Sequence, residues 1–236
     1  MTLFQPVESQ RLYERVAEQI VERIHSGEII AGQRLPAERD LAKALGVSRP
    51  VIREALIALE VAGLVEVRTG AGAFVREPPS SRPSLNAGDS PSDILNARML
   101  IEGEIAALAA QFASPHQVEA IAGTVGAMRR DHDAGRDWRP ADLAFHVAVA
   151  RATGNAALAG VVEQLWQAQN SPVFALMSQR MELDQNWAAT FAGHEAALAA
   201  IAAREPDRAR KAMRAHLAQV LDVLTREDEG DRELHP

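Results

Sequence analysis

The stretch that decides the fold of the N-terminal part is RLPAERDLAKALGVSRPVIREALIALEVAGLVEVRTGAGAFV, residues 34–75. Its first helical segment, PAERDLAKALG, ends at Gly46, and a glycine directly after a helix is a common stop signal. The next segment, SRPVIREALIALEVAG, has Ser48 as a plausible N-cap and Gly63 as its stop. Because only two residues separate the two helices, the connection is too short for an antiparallel hairpin and predicts a helix-turn-helix.

The segments on either side complete this unit. Before the helix-turn-helix, QRLYERVAEQIVERIHSG predicts a first helix, because four apolar residues recur at helical spacing: Leu12, Val16, Ile20 and Ile24. After it, LVEVRTGAGAFV contains two strand-like runs around the turn residues 69–72. Three helices followed by a hairpin predict a winged helix-turn-helix over residues 1–77.

The charge of the chain is unevenly distributed. The formal net charge is −7, whereas residues 34–53 carry five basic residues against two acids, a local charge of +3. These are Arg34, Arg39, Lys43, Arg49 and Arg53 against Glu38 and Asp40. Arg49 and Arg53 share one face of the third helix, which suits base contacts in the major groove of DNA. The alternative is a solvated surface, and the order of the elements favours DNA binding.

Composition and linker signals set the rest of the architecture. Residues 78–90 contain three prolines and four serines and predict a linker. Helical segments follow over residues 91–228, six or seven in number, and residues 229–236 are expected to fray. The absence of cysteine excludes disulfides and thiolate metal sites. Without a signal peptide or a long apolar run, we expect a cytoplasmic protein that does not enter a membrane.

Four polar side chains stand out because they lie on otherwise apolar helical segments. Asp142 and His146, in DLAFHVAVA, are four residues apart and share one helix face. His194 and His216 each lie eleven residues from a bend near Glu205, so each rises about 16 Å from that bend, which brings them to one height on antiparallel helices. Such a convergence predicts a metal site. The alternatives are hydrogen-bonded core histidines and a helix-face salt bridge.

No enzymatic function is expected. The segment HEAAL at His194 begins like a metallohydrolase H-E-x-x-H helix, but its fifth residue is Leu198. The four proposed ligands leave no obvious general base, and the chain has no phosphate-binding loop, nucleophile elbow or dinucleotide-binding fingerprint. A metallohydrolase is the remaining enzymatic alternative.

Residues 34–75 resemble the GntR family of bacterial transcription regulators, with the motif spacing usual in that family. The C-terminal part resembles the FadR-type subfamily, whose all-helical ligand-sensing domain is called FCD. The resemblance implies a mainly α protein, with a winged helix-turn-helix followed by an FCD bundle. The positions that it implies for operator contacts are Arg39, Ser48, Arg49, Arg53, Thr69 and Gly70.

The same resemblance extends to the sensor domain. Metal-binding FCD members carry D-x3-H followed by two later histidines, as do Asp142, His146, His194 and His216 here. Imidazole-rich ligation suits zinc or nickel. FCD regulators typically bind a small organic acid with the help of a basic residue, and Arg98 matches that position. The alternative for Arg98 is a plain salt bridge with Glu102.

The segments RLYERVAEQI, ALEVAGLVEVR, FHVAVARATGN and VVEQLWQAQNSP resemble hexuronate-responsive members of the subfamily. Those members carry an arginine and a tryptophan after LWQ, where this chain has Gln169 and Phe174 nearby. Lactate, gluconate-type acids and dicarboxylates therefore stay open as effectors. We expect a homodimeric repressor on a two-fold operator in double-stranded DNA, released when the effector binds. In the alternative hypothesis, the metal has a purely structural role and only stabilises the FCD domain.

Overall fold

The computed structural model describes residues 12–68, 70–77, 88–169, 171–180 and 187–225. The mainly α fold predicted from the sequence is confirmed, and the described residues form ten helices and one two-stranded sheet. In chain order these elements are α1 (Leu12–His25), α2 (Glu38–Leu45), α3 (Arg49–Val61), β1 (Val65–Arg68), β2 (Gly72–Val75), α4 (Pro91–Phe112), α5 (Pro115–Asp133), α6 (Arg139–Arg151), α7 (Ala156–Ala168), α8 (Pro172–Arg180), α9 (Trp187–Ala202) and α10 (Pro206–Thr225). The chain divides into two compact units, one built on residues up to 90 and the other on most of the residues that follow.

Helix α1 packs against α3 in the first unit. Val16, Ile20 and Ile24 are buried, as their helical spacing predicts. Leu12 is 48% exposed, and Tyr13 takes the inward position instead. The shift by one residue follows from helix geometry, since Tyr13 lies three residues before Val16 and seven before Ile20, on the same face.

The connection between α2 and α3 is the tight turn that the sequence predicts. Gly46 has a φ of 67°, in the left-handed region where a residue with a Cβ is strained, and its N–H bonds to the carbonyl of Ala42. Ser48 is extended, so the chain turns before α3 begins at Arg49. Glycine at this position therefore sets the crossing of the two helices.

The hairpin forms the wing. Strands β1 and β2 pair antiparallel, with Val65 opposite Val75 and Arg68 opposite Gly72. Residues 33–35 pair with the other side of β2, because the N–H of Leu35 bonds to the carbonyl of Ala73 at 2.8 Å. This third strand-like segment ties the wing to the chain that leads into α2.

The end of the predicted linker contacts the first unit. Residues 78–87 lie outside the described residues, as do residues 226–236, which include the tail. The hydroxyl of Tyr13 donates to the carbonyl of Gly88. The hydroxyl of Ser90 donates to the carboxylate of Glu54 at 2.9 Å, and both side chains are buried. Residues 88–90 are thus held by α1 and α3.

The second unit is helical throughout its described residues. Helix α4 packs against α10, α9, α6 and α7, and its buried face is rich in alanine. Small side chains permit close approach of helices. Ser114 caps the start of α5, with a capping box closed by Gln117. Within the described residues, no helix is long and apolar enough to cross a membrane.

Candidate metal centre and DNA-binding face

Three helices of the second unit bring four potential metal ligands together. Helix α6 supplies Asp142 and His146, α9 supplies His194, and α10 supplies His216. One ligand atom from each lies within 4.8 Å of all the others. The rings of His194 and His216 are 4.1 Å apart, which agrees with the equal heights predicted from their distances to the bend. The four residues share one site.

A backbone contact orients His194. Its Nδ1 donates to the carbonyl of Thr190 at 2.9 Å, one turn earlier on α9. Its Nε2 lies 2.7 Å from Oδ1 of Asp142. With Nδ1 turned to that carbonyl, Nε2 is the nitrogen that faces the Asp142 carboxylate, and it would offer its lone pair to a metal ion in place of a proton shared with that carboxylate. This is the usual arrangement around a histidine that binds a metal.

A buried carboxylate lies against the far side of His146. Its Nδ1 is 2.5 Å from Oε2 of Glu102 on α4, and its Nε2 is 3.4 Å from Oδ1 of Asp142. The imidazole of His146 therefore has a carboxylate at each nitrogen. The spacing of residues along the chain identifies Asp142 as its partner, but gives no indication that Glu102 reaches it from another helix.

The charges in this cluster shift the acidities of its members. Burial raises the pKa of Asp142, but His194 and His146 outweigh it and hold that pKa well below the usual range. Burial lowers the pKa of His146, but the Glu102 carboxylate outweighs it and raises that pKa above the usual value. Burial and the neighbouring His194 hold the pKa of His216 well below its usual value. The imidazole of His216 is therefore neutral at pH 7, and it has a lone pair to give to a metal ion.

The residues present fit a divalent cation. Nδ1 of His216 is buried without a hydrogen-bond partner among the described residues, and a Cβ built on Gly193 would lie 2.7 Å from it. Three imidazoles and one ionised carboxylate form a donor set suited to a first-row metal ion. Positive charge placed among them offsets the desolvation of Asp142.

Arg98 is buried one turn before Glu102 on α4. The side chain is 3% exposed, and its Nε donates to Oε1 of Glu102 at 2.5 Å. Its Nη1 donates to Oε1 of Gln169 at 2.6 Å, and the guanidinium lies 4.7 Å from the centre of the Trp166 ring. Its Nη2 is buried with no hydrogen-bond partner among the described residues. The salt bridge with Glu102, considered as the alternative role of Arg98, is present. The Nη2 group of Arg98 stays available as a hydrogen-bond donor.

Glu102 is ionised despite its burial. Burial raises the pKa of this carboxyl, but Arg98 and His146 outweigh it and lower the pKa to about 2. Trp166 lies next to the same cluster, 5.6 Å from the ring of His146. The structure places Trp166 and Gln169 beside Arg98.

The first unit presents several of the predicted operator-contact residues on or near α3. Arg49 begins α3, and Ser48 is its N-cap without a side-chain capping bond. Arg39 is exposed and pairs with Asp40 at 3.4 Å, a contact between two exposed side chains that holds it weakly. Gly70 lies in the turn of the wing with a φ of 70°, and Thr69 lies outside the described residues. The role of these residues in binding DNA stays a prediction.

Arg53 differs from the other predicted contact residues because it is buried. Its side chain is 8% exposed, and its Nη2 donates to Oε2 of Glu38 at 2.9 Å while Nε donates to Oε1. This two-pronged pair joins α3 to the first residue of α2. A base contact by Arg53 would have to replace the pair, so in this conformation Arg53 holds the two helices together.

A winged helix-turn-helix ahead of a helical sensor bundle defines a ligand-responsive DNA-binding regulator. The model of the FCD domain matches residues 93–219, and that of the bacterial regulatory proteins of the gntR family matches residues 12–75. The chain belongs to the GntR family and carries an FCD domain. It is a transcription regulator and not an enzyme.

Two curated relatives align over nearly the whole chain. The chain is 36% identical to the Exu regulon transcriptional regulator of Escherichia coli strain K12, covering 97% of this chain and 90% of that protein. It is 34% identical to the Uxu operon transcriptional regulator of the same strain, covering 92% and 88%. The solved structure of Lar, which controls expression of the agr system of Listeria monocytogenes, has a TM-score of 0.51 at 19% identity, covering 93% and 99%. That likeness shows the shared fold alone.

Proposed function

We propose that this regulator is a homodimeric repressor that releases its operator when a small organic acid, a hexuronate, binds beside a divalent metal in the FCD domain. The observation that carries the proposal is the placement of Arg98, a buried cation with an unused donor, next to four converging metal ligands. The protein would act on DNA in the cytoplasm.

Asp142, His146, His194 and His216 would hold the metal, with zinc as the leading candidate and nickel as the alternative. A bound divalent cation supplies a Lewis-acidic centre that attracts carboxylate and hydroxyl oxygens. Four protein ligands leave one or two coordination positions for such oxygens in a five- or six-coordinate ion. Asp142 contributes a negative charge to this site, and the neutral imidazole of His216 contributes a lone pair.

Arg98 would bind the carboxylate of the effector. A guanidinium donates to a carboxylate through a planar fork, and the third nitrogen of Arg98 is the one without a partner. Burial strengthens this interaction because water does not compete with it. An acid would therefore satisfy a donor that the protein leaves unbonded.

A sugar acid fits the groups around Arg98. The amide of Gln169 and the ring of Trp166 lie next to the guanidinium, and they suit the hydroxyl groups and the C–H face of a sugar. The resemblance to hexuronate-responsive members and the two Escherichia coli relatives support the same class. Lactate, gluconate-type acids and dicarboxylates share the carboxylate, and they form the comparison set in the test.

Arg39, Ser48, Arg49 and the wing around Gly70 would contact the operator. Two copies of the first unit on one dimer call for a two-fold DNA site. An effector lowers operator affinity only if it binds the released arrangement more tightly than the bound one. Repression and release then follow from one population shift.

The test measures release of the operator. An operator selected from random DNA with the full-length protein is labelled, and its binding is followed by fluorescence anisotropy with Zn²⁺ and increasing D-glucuronate, D-galacturonate, L-lactate, D-gluconate or succinate. We expect a hexuronate to release the DNA, and Arg98→Leu to bind the DNA but lose the response. Release by another acid alone would overturn the hexuronate assignment, and no response to any acid would overturn the effector site.

A further inference from the structure

The proposed site has a metal half, which contains His146, and an acid half, which contains Arg98. Glu102 lies between these two halves and contacts both. Its Oε1 accepts the Nε–H of Arg98, and its Oε2 lies 2.5 Å from Nδ1 of His146. The side chain is 1% exposed, so water screens neither contact. We propose that Glu102 is a positioning residue, which sets the metal-facing nitrogen of His146 and the free donor of Arg98 at the same time. This inference rests on the proposed function, because it concerns the same metal and acid site.

Glu102 determines which nitrogen of His146 carries the proton. A carboxylate oxygen 2.5 Å from Nδ1 favours the tautomer that carries the proton on that nitrogen. The remaining lone pair is then on Nε2, which lies 3.4 Å from Oδ1 of Asp142, among the converging ligand atoms. A carboxylate behind Nδ1 fixes the ring of a metal-binding histidine and makes its other nitrogen a stronger donor.

The other two histidines do not have this support. Nδ1 of His194 faces the carbonyl of Thr190, and Nδ1 of His216 forms no ion pair with a carboxylate among the described residues, whereas Nδ1 of His146 has a carboxylate oxygen at 2.5 Å. Within the described part of the chain, Glu102 is therefore the one carboxylate placed behind a ligand of this cluster. Its loss should weaken metal binding without removing a ligand.

Glu102 also fixes the direction of the free donor of Arg98. The guanidinium is planar, so holding Nε by Glu102 and Nη1 by Gln169 fixes where Nη2 points. The negative charge of Glu102 offsets the buried positive charge of Arg98 in the absence of an acid. One side chain thus prepares both the metal half and the acid half of the site.

The experiment compares Glu102→Gln with Glu104→Gln, the same change two residues further along α4. Glutamine has one acceptor oxygen where glutamate has two, so one of the two contacts is lost. Glu104 is exposed and pairs with Arg210 and Arg214, which makes it the matched control. Zn²⁺ affinity is measured by competition with a chromophoric chelator, using full-length protein stripped of metal. We expect a loss of about 10- to 100-fold for E102Q, and a change of less than about twofold for E104Q.

A spectroscopic readout separates positioning from a general loss of stability. In Zn²⁺-loaded wild-type protein, we expect a downfield exchangeable proton assigned to Nδ1–H of His146, and its displacement in E102Q. If E102Q does not fold, the wild-type spectrum alone decides, because a proton on Nε2 instead of Nδ1 overturns the inference. A folded E102Q with wild-type Zn²⁺ affinity overturns it as well.

The acid half has its own readout, the affinity for D-glucuronate at saturating Zn²⁺. We expect E102Q to lower it and E104Q to leave it unchanged, and equal affinities in E102Q and wild type would overturn the positioning of Arg98. A wild-type protein that binds Zn²⁺ but no D-glucuronate contradicts the proposed effector, while the zinc titration still decides the role of Glu102. A wild-type protein that binds no Zn²⁺ overturns the proposed metal site, and this inference with it.

Discussion

Replacing Glu38 by glutamine removes the negative charge that pairs with Arg53 between α2 and α3. Exposed ion pairs contribute about 0–1 kcal/mol, whereas removal of one partner from a fully buried pair costs about 3–5 kcal/mol. The two side chains here are 8% and 24% exposed, which lies between these two cases. We therefore expect a loss of about 2 kcal/mol in the free energy of unfolding of the first unit.

Hydrogen exchange measured by mass spectrometry can detect this loss in the full-length protein. Peptides from α3 report on the first unit, and peptides from α10 report on the second. A loss of about 2 kcal/mol corresponds to roughly 30-fold faster exchange. We expect this acceleration in α3 and none in α10.

The matched control is Asp40→Asn on the same helix. Asp40 pairs with Arg39 at 3.4 Å, but both side chains are more than half exposed, so the pair contributes little. We expect exchange in α3 to remain at the wild-type rate in this variant. Equal rates in Glu38→Gln and Asp40→Asn would refute the structural role of the Arg53 pair and leave Arg53 as a plain DNA-contact residue.

Three further predictions concern the rest of the molecule. His194→Ala should remove the bound metal, measured as zinc content after gel filtration, and retention of a full equivalent would contradict the site. Arg49→Ala should weaken operator binding while zinc and acid binding persist, and loss of all three would mean that the functions are not divided between the two units as described. The pKa of Glu102 is lowered from 4.5 to about 2. Its contribution to stability, about 3 kcal/mol, is therefore present above pH 4.5 and lost as the pH falls toward 2. Urea unfolding of metal-free protein at decreasing pH measures this loss, and a carbon NMR titration of Glu102 with a midpoint near 4.5 would contradict it.

The fold of the first unit follows from local signals. The glycine at position 46, the cap at Ser48 and the apolar spacing of α1 each act within a few residues, and short-range rules describe them well. The exception is Leu12, which fits the spacing but is exposed because Tyr13 lies closer to the axis of the buried face. Spacing alone does not distinguish neighbours at the edge of a helix face.

The convergence of the four metal ligands was also predictable. Asp142 and His146 are related by helix periodicity, and His194 and His216 by equal distances from one bend. Both relations are geometric consequences of regular helices. They place the side chains together, while the role of the cluster as a metal site stays a prediction.

The contacts that could not be predicted join distant parts of the chain. Gln169 and Arg98 are separated by 71 residues, and Glu102 reaches His146 from another helix. Helix packing determines which side chains face one another, and no local pattern encodes it. For the same reason, the sequence predicts Arg53 as a DNA contact, whereas the structure shows its pair with Glu38.

The most direct test of the central claim is a thermal melt of the full-length protein in four conditions: stripped of metal or loaded with Zn²⁺, each without and with a hexuronate. A ligand at one hundred times its dissociation constant adds about 2.7 kcal/mol, which corresponds to several degrees for a chain of this size. A metal-coupled acid site predicts a rise with Zn²⁺, and a further rise with the hexuronate only when Zn²⁺ is present. A melting temperature that Zn²⁺ and the acid leave unchanged would contradict it.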